Sequence, residues 1–210
     1  MPREAPLALQ MELRDGTPVL IRPVLPGDKD RLRQGFRRLS AQSKARRFGA
    51  PMSDLSKEQL RHLTEIDYAN HMAWIAVDPG SPVQPALGVA RFVRLPGGAG
   101  VAEAAVVVAD EVQGLGLGTL LLGILGVAAS ANGIRAFRAY VQTGNRPMLD
   151  ILRDLGGVVG LEEPGLYRVD LTIPERPEDL PDTPTGRVFK AVARRVLPPL
   201  ALLAHSARGP

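Results

Sequence analysis

The spacing of apolar and polar positions changes several times in the first third of the chain. Two short runs with alternating apolar positions flank Asp15-Gly16, a pair typical of tight turns, and predict a hairpin. Apolar residues then recur every three or four positions, which predicts three helices, with Ser40 as the cap of the second. The predicted strands are 11–14 and 19–22, and the predicted helices are 26–39, 40–48 and a third that begins at Asp54 or Ser56.

The middle of the chain contains three apolar runs of strand length, separated by turns rich in glycine and proline. Such short connections predict an antiparallel meander. Helix and strand patterns then alternate, and Gly133 and Gly156 mark two helix ends. The predicted strands are 71–77, 87–95, 102–108, 136–141, 158–161 and 167–171, and the predicted helices are 116–132 and 145–155.

The carboxyl-terminal pattern differs from everything before it. Residues 174–184 contain four prolines and several acids, and we expect them to be extended rather than packed. Residues 186–210 carry five basic side chains and no acidic one, with apolar and basic positions on opposite faces of a predicted helix. Pro198-Pro199 should end that helix. The expected division is a domain at 1–173, an acidic proline-rich linker at 174–185 and a basic amphipathic extension at 186–210.

Composition narrows the class of protein. With 210 residues, of which 45% are hydrophobic and 23% charged, the chain should form one globular domain with extensions. It has no cysteine and three histidines, so we expect neither disulfides nor thiolate chemistry nor a protein-built metal site. No run has the length of a signal peptide core or a membrane span, and a cytoplasmic location is expected.

The positive charge is unevenly distributed. The net charge is only +4, but residues 29–47 hold eight basic side chains and a single acid, Asp30. This stretch is either a solvated helix face or a surface for an acidic substrate or for ligand phosphates. The basic groups have no interleaved aromatic side chains, so nucleic acid is not an expected partner.

The most informative feature is a run of alternating glycines between a strand and a long apolar helix. Gly114, Gly116 and Gly118 are costly at a helix start unless a ligand must approach the backbone closely. The free N–H groups and dipole of such a helix start favour a diphosphate. A P-loop requires Lys after its last glycine, whereas Thr119 follows here. A dinucleotide site requires GxGxxG and an acid after the next strand, whereas this spacing is GxGxG and Gln142 follows that strand.

The segment Gln113-Gly114-Leu115-Gly116-Leu117-Gly118 resembles the acyl-CoA-binding signature of the GCN5-related N-acetyltransferases (GNAT). The order of strand, turn, helix and Asn145-Arg146-Pro147 also fits, and pieces from about 14 to 171 are similar to actinobacterial Pat-type protein lysine acetyltransferases. The resemblance implies an α+β, three-layer GNAT fold, with a mixed, mostly antiparallel sheet of about seven strands and a C-terminal helical extension. It also implies acetyl-CoA as co-substrate, held by Val106, Val107, Val108, Gln113, Gly114, Leu115, Gly116, Leu117, Gly118, Thr119, Asn145 and Met148.

Glu103 is the candidate general base, because its counterpart in Pat-like relatives is given that role. Its apolar neighbours in the strand should desolvate the carboxylate and make it a better proton acceptor; the alternative is an outward-facing glutamate on an edge strand. Asn145 suits a helix N-cap better than a contact to pantetheine, although the two roles are compatible. His71 is more easily explained as a structural histidine. The helix after Asn145 contains no tyrosine, and we assign no general acid.

These observations predict an acetyl-CoA-dependent N-acetyltransferase that acts on a protein lysine. A small-molecule amine as acceptor, or a non-catalytic acyl-CoA-binding regulatory module, remains as an alternative. The amphipathic extension either docks on its own domain or on a second copy in a homodimer, or lies on an anionic membrane, or is partly disordered.

Overall fold

The computed structural model describes residues 7–49, 52–98 and 100–206, with side chains as far as Val196. Its helices and strands are β1 (Leu9–Glu12), β2 (Pro18–Pro23), α1 (Lys29–Arg38), α2 (Ala41–Phe48), α3 (Lys57–Thr64), β3 (His71–Val77), β4 (Ala86–Arg94), β5 (Val101–Val108), α4 (Leu117–Ala131), β6 (Ala136–Gln142), α5 (Arg146–Asp154), β7 (Val158–Glu163), β8 (Leu166–Thr172) and α6 (Pro184–Ser206). Single 3-10 turns occupy Pro26–Asp28, Asp110–Val112 and Pro177–Asp179.

The strands form one sheet in the order β1-β2-β3-β4-β5-β6-β8-β7. From β1 to β5 the neighbours are antiparallel, which confirms the predicted meander. β5 and β6 are parallel, and β6, β8 and β7 are again antiparallel. The α+β fold class is confirmed, and the sheet has eight strands, as the pattern predicted, where the family resemblance implied about seven.

The parallel pair β5–β6 separates soon after it begins. Residues 101–103 pair with residues 136–138. Both strands are fully described, and their remaining residues do not pair with each other. β5 stays paired with β4 as far as Val108, while β6 pairs with β8 over its whole length. The sheet therefore opens into a wedge beside the second half of β5, and the backbone groups of β5 on that side have no strand partner.

Helices cover the two faces of the central strands, because β3 and β4 are apolar on both sides. Trp74 and Phe92 point to the face that carries α4, whereas Ile75 and Val89 point to the face under α1, α2 and α3. α4 is apolar all round, since it lies between the sheet and α6. Helix starts follow ordinary capping chemistry: Ser40 and Ser56 accept hydrogen bonds from the N–H groups three residues later.

α6 packs on α4 through its apolar face. Phe189, Val192 and Val196 are at most 8% exposed, and a Cβ added at Gly123 would lie 3.4 Å from Val192. The prediction that Pro198-Pro199 ends the helix is wrong, because the backbone stays helical to Ser206. A proline's own φ suits a helix, and its cost is the hydrogen bond that its nitrogen cannot donate.

The proline-rich segment before α6 is partly packed, which corrects the expectation of an extended linker. It contains the 3-10 turn at Pro177–Asp179, and Leu180 packs against the main core. The Thr183 and Thr185 hydroxyls donate to the backbone carbonyl and the carboxylate of Asp154, at 2.9 and 2.8 Å. These contacts fix the start of α6 beside α5.

Candidate active site

The glycine run forms a turn whose backbone needs glycine at two of its three positions. Gly114 and Gly116 have φ of 76° and 92°, a region that other residues rarely adopt. Gly118 lies in the first turn of α4, and a Cβ there would meet only the Val108 side chain, at an ordinary 3.6 Å. The fold therefore does not require the third glycine, whereas a ligand approaching the helix start would.

The amide groups of this turn are available to a ligand. None of the backbone N–H groups of residues 114–119 has an acceptor within the described part of the chain, and the first bond of α4 runs from Leu120 N–H to the Gly116 carbonyl. Free N–H groups at the start of a helix form an anion site. The turn therefore has the free N–H groups that the predicted diphosphate site requires.

A cavity of about 360 Å³ runs from this turn along the free side of β5. Ten of the twelve residues predicted to hold the co-substrate line it: Val106, Val107, Val108, Gln113, Gly114, Gly116, Gly118, Thr119, Asn145 and Met148. Leu115 and Leu117 do not, because Leu117 is fully buried and Leu115 packs against the core.

A second cavity of about 130 Å³ continues from the first into the wedge between β5 and β6. Glu103 lines it, at the point where the two strands separate. The two cavities are adjacent, since Arg46, Arg47, Val106, Asn145 and Met148 line both of them. Tyr140 also lines the second cavity, and the sequence analysis assigned it no role.

The surroundings of Glu103 differ from the expected ones. Its neighbours Ala102 and Ala104 are buried, but Glu103 is exposed, because successive strand residues point to opposite faces. The expectation that apolar neighbours desolvate the carboxylate is therefore wrong. The charge that acts on it is instead the Arg47 guanidinium. Burial lowers the pKa of Arg47, and the attraction of Glu103 partly opposes that shift.

Asn145 occupies the N-cap position of α5 but does not cap it. Its side chain accepts no hydrogen bond from the helix start, and its φ and ψ are −90° and 62°. The side chain lines both cavities. The expected side-chain cap is therefore absent, and the contact of Asn145 to a ligand stays a prediction.

The Gln113 side chain is engaged by the protein. Its amide nitrogen donates to the Val108 carbonyl at 3.0 Å and to the Ser43 hydroxyl at 3.1 Å. Asp110, just before it, accepts from the Ser40 N–H at 2.8 Å and from the hydroxyls of Ser40 and Ser43. Burial alone would raise the pKa of Asp110, but these hydrogen bonds outweigh it and lower the pKa. The glycine turn and α2 are therefore tied together.

Three arginines line the larger cavity without having been predicted: Arg14, Arg46 and Arg47. Arg14 follows β1; its N–H donates to the Leu115 carbonyl at 3.0 Å, and a Cβ at Gly116 would lie 3.4 Å from its Nε. Arg46 and Arg47 are the last two basic residues of the stretch 29–47. That stretch indicated a possible phosphate-binding surface, but it did not indicate which of its basic residues face the site. Arg14 gave no signal, because it reaches the turn through the pairing of distant segments.

His71 acts as a structural residue. Its Nε2 lies 2.9 Å from Nη1 of Arg91, and burial, helped by Arg91 and His62, lowers its pKa to about 4. The neutral ring therefore accepts a hydrogen bond from the Arg91 guanidinium. Among the described residues, no group of three or more histidine, aspartate or glutamate side chains could hold a metal ion, and no helix has the length and apolarity of a membrane span.

A sheet that opens beside its parallel pair, with free amides at one end of the opening and a carboxylate at the other, is the architecture of an N-acyltransferase. The chain belongs to the acetyltransferase (GNAT) family, whose family model matches residues 37–156.

Relatives within the family are similar over most of the chain. Acetyltransferase Pat of Mycolicibacterium smegmatis is 34% identical over 194 residues, which are 89% of this chain and 57% of that protein. An acetyltransferase of Pseudomonas aeruginosa is 36% identical over 152 residues, 72% of this chain and 81% of that protein. The GNAT domain of S. lividans PAT superposes with a TM-score of 0.71 at 28% identity, over 79% of this chain and 96% of that one. The chain thus spans only 57% of the length of the M. smegmatis relative.

Proposed function

We propose that the protein is an acetyl-CoA-dependent N-acetyltransferase whose acceptor is a protein lysine. The observation that carries the proposal is the pair of adjacent cavities along the open side of β5, one at the free amides of residues 114–119 and the other at Glu103. The side of β5 away from β4 has no strand partner at residues 106–108, so its backbone groups, apart from the Val108 carbonyl that Gln113 engages, can bind the pantetheine amides as an added strand would. Arg14 adds a positive charge beside the diphosphate site.

The chemistry requires little from the protein. Bound acetyl-CoA supplies an activated acyl carbon, which forms a bond to the amine nitrogen as the C–S bond breaks. The second proton that the nitrogen loses as the amide forms goes to the departing thiolate, which leaves as the CoA thiol. Glu103 removes the proton that the acceptor ammonium must lose, since a lysine amine is almost fully protonated at neutral pH. Asn145 and Met148 orient the pantetheine in the wedge.

The position of Glu103 supports a protein acceptor. The carboxylate is exposed where the wedge opens, so a lysine on the surface of another protein can reach it. Arg46 and Arg47 line this cavity, and their positive charge disfavours a polycationic small amine. A small amine and a non-catalytic acyl-CoA-binding role are the outcomes against which the proposal is tested.

Replacing Glu103 with Gln tests the assignment of the base. We expect kcat to fall about 100-fold or more, with the Kd for acetyl-CoA changed less than about twofold, because the amide keeps the shape and loses the proton acceptor. The remaining rate should keep rising with pH toward the pKa of the amine.

Glu162→Gln is the matched control, since Glu162 lies on β7 and lines neither cavity. Turnover on a panel of lysate proteins, with the modified lysines mapped, identifies the acceptor class. Unchanged turnover in Glu103→Gln would exclude Glu103 as the base. Acetyl-CoA binding without turnover on any amine would favour the regulatory module.

A further inference from the structure

Arg91 is a buried arginine without an acidic partner in the described part of the chain. It lies on β4 and is 6% exposed. Its guanidinium is 2.9 Å from Nε2 of His71 and donates to the Leu63 carbonyl at 3.2 Å. Both partners are neutral, because His71 has a pKa of about 4. The positive charge of Arg91 is therefore solvated by dipoles alone.

Arg47 is its neighbour and also lacks a partner. Within the described residues it has neither a hydrogen bond nor an ion pair, and its guanidinium carbon lies 5.1 Å from the centre of the Phe48 ring. Burial, and then repulsion by Arg47, lowers the pKa of Arg91 to about 9. Among the described residues, Glu103 is the carboxylate whose charge acts on Arg47. No carboxylate among them pairs with Arg91, and a buried charge without compensation is destabilising.

The pair lies beside the reacting position. Arg91 faces Ala105 across the β4–β5 ladder, and Arg47 lies on α2 above the same strand. Arg47 lines the cavity of the glycine turn, the cavity of Glu103 and a third, apolar cavity of about 50 Å³ that Arg91 also lines. Arg47 thus connects the cavity that Glu103 lines with the cavity that Arg91 lines.

We propose that Arg47 and Arg91 form a carboxylate-binding site next to the transferred acyl group. A planar carboxylate matches the paired N–H groups of guanidinium and would balance the surplus charge. The carboxylate belongs either to the far end of a short dicarboxylic acyl group or to an acidic side chain beside the acceptor amine. The inference rests on the proposed acyl transfer and adds to it a preference for a carboxylate on the acyl group or on the acceptor.

The first arm of the test measures binding without chemistry. Calorimetry compares two thioethers that cannot react, S-propyl-CoA and S-(2-carboxyethyl)-CoA, on the wild-type protein and on Arg47→Gln. If the acyl group carries the carboxylate, the wild type prefers the carboxyethyl compound by about tenfold or more, and the variant loses this preference. Arg46→Gln is the control with the same change of charge on α2, and it should keep the preference.

The second arm tests the acceptor. Acetyl-CoA turnover is compared on two lysine peptides that differ only by Glu or Gln next to the lysine. If the acceptor carries the carboxylate, the Glu peptide has a kcat/KM about tenfold higher, and Arg47→Gln removes the difference while Arg46→Gln does not. Arg91→Gln, checked for folding by its Tm, should act in the same direction as Arg47→Gln.

The outcomes separate the two proposals. Equal responses to charged and neutral ligands in both arms, or preferences that survive Arg47→Gln, overturn the carboxylate site and leave acetyl transfer standing. If the wild type binds neither thioether, the proposed function fails and the carboxylate site fails with it.

Discussion

The histidine–arginine pair on β3 and β4 makes the stability of the protein sensitive to mild acid. His71 has a pKa lowered to about 4 by burial, by Arg91 and by His62, compared with about 6.5 in an unfolded chain. Below pH 6.5 the unfolded chain therefore binds a proton that the folded protein does not. The neutral ring stabilises the fold above pH 6.5, and this contribution is lost as the pH falls toward 4.

We expect the free energy of unfolding of the wild type to decrease between pH 6.5 and 4.5 more than that of His71→Gln, which has no such group. Denaturant unfolding at several pH values measures the difference. His62→Gln is the control, since His62 is exposed, and most of the acid loss should remain. Parallel pH curves for wild type and His71→Gln would contradict the assignment.

For single residues, the sequence predicted which residues belong to the site better than it predicted their surroundings. The glycine spacing identified the turn, and ten of twelve predicted residues line the cavity. The exposure of Glu103 could not be derived, because it depends on which face of β5 the helices cover. Arg14 and Arg91 were missed because their places in the site come from pairing between distant segments.

Among the elements, α2 is held to the glycine turn by one carboxylate. Asp110 accepts three hydrogen bonds from Ser40 and Ser43 at the start of α2, which carries Arg46 and Arg47 at its other end. Asp110→Ala should cost about 1 kcal/mol of stability, as the loss of a helix cap does. It should also weaken acetyl-CoA binding by about threefold or more, since the cavity wall loosens. Thermal unfolding and calorimetry measure the two effects.

Glu111→Ala is the matched control one residue away. Glu111 pairs with Arg38 on the surface, and exposed ion pairs contribute about 0–1 kcal/mol. If both variants bind acetyl-CoA as the wild type does, α2 is not coupled to the turn through Asp110.

Helices and strands were predicted with small errors where local chemistry decides them. Ser40 caps α2 and β3 spans His71–Val77, both as predicted. The separation of β5 from β6 has no local marker, because the residues of β5 remain regularly paired with β4. The predicted end of α6 at Pro198 was wrong for a different reason: proline is a strong local signal for a helix end, but the helix continues past it.

For the whole molecule, α6 completes the core. Phe189 is 8% exposed and packs on α4 beside Gly123. Phe189→Ala should lower the free energy of unfolding by about 3 kcal/mol or more. Val188→Ala, a half-buried neighbour on the same helix, should cost clearly less.

The same measurement distinguishes docking on the own chain from a homodimer. If α6 packs within one chain, the Tm does not depend on protein concentration, whereas packing between chains raises the Tm with concentration. We expect no dependence over a hundredfold range. The apolar face of the predicted helix at 186–210 indicated that this face is covered by another surface. The sequence could not identify that surface, because it is the apolar side of α4.

The claim on which the account depends is that the amides of residues 114–119 hold the diphosphate of acetyl-CoA. Calorimetric titration of acetyl-CoA into Gly118→Val and Gly126→Val tests it most directly. Both glycines lie in α4, and an added Cβ has room at each, but only Gly118 lines the cavity. We expect similar Tm values, affinity near that of the wild type for Gly126→Val, and affinity about tenfold or more weaker for Gly118→Val. Equal affinities for the two variants, or no binding to the wild type, would contradict the claim.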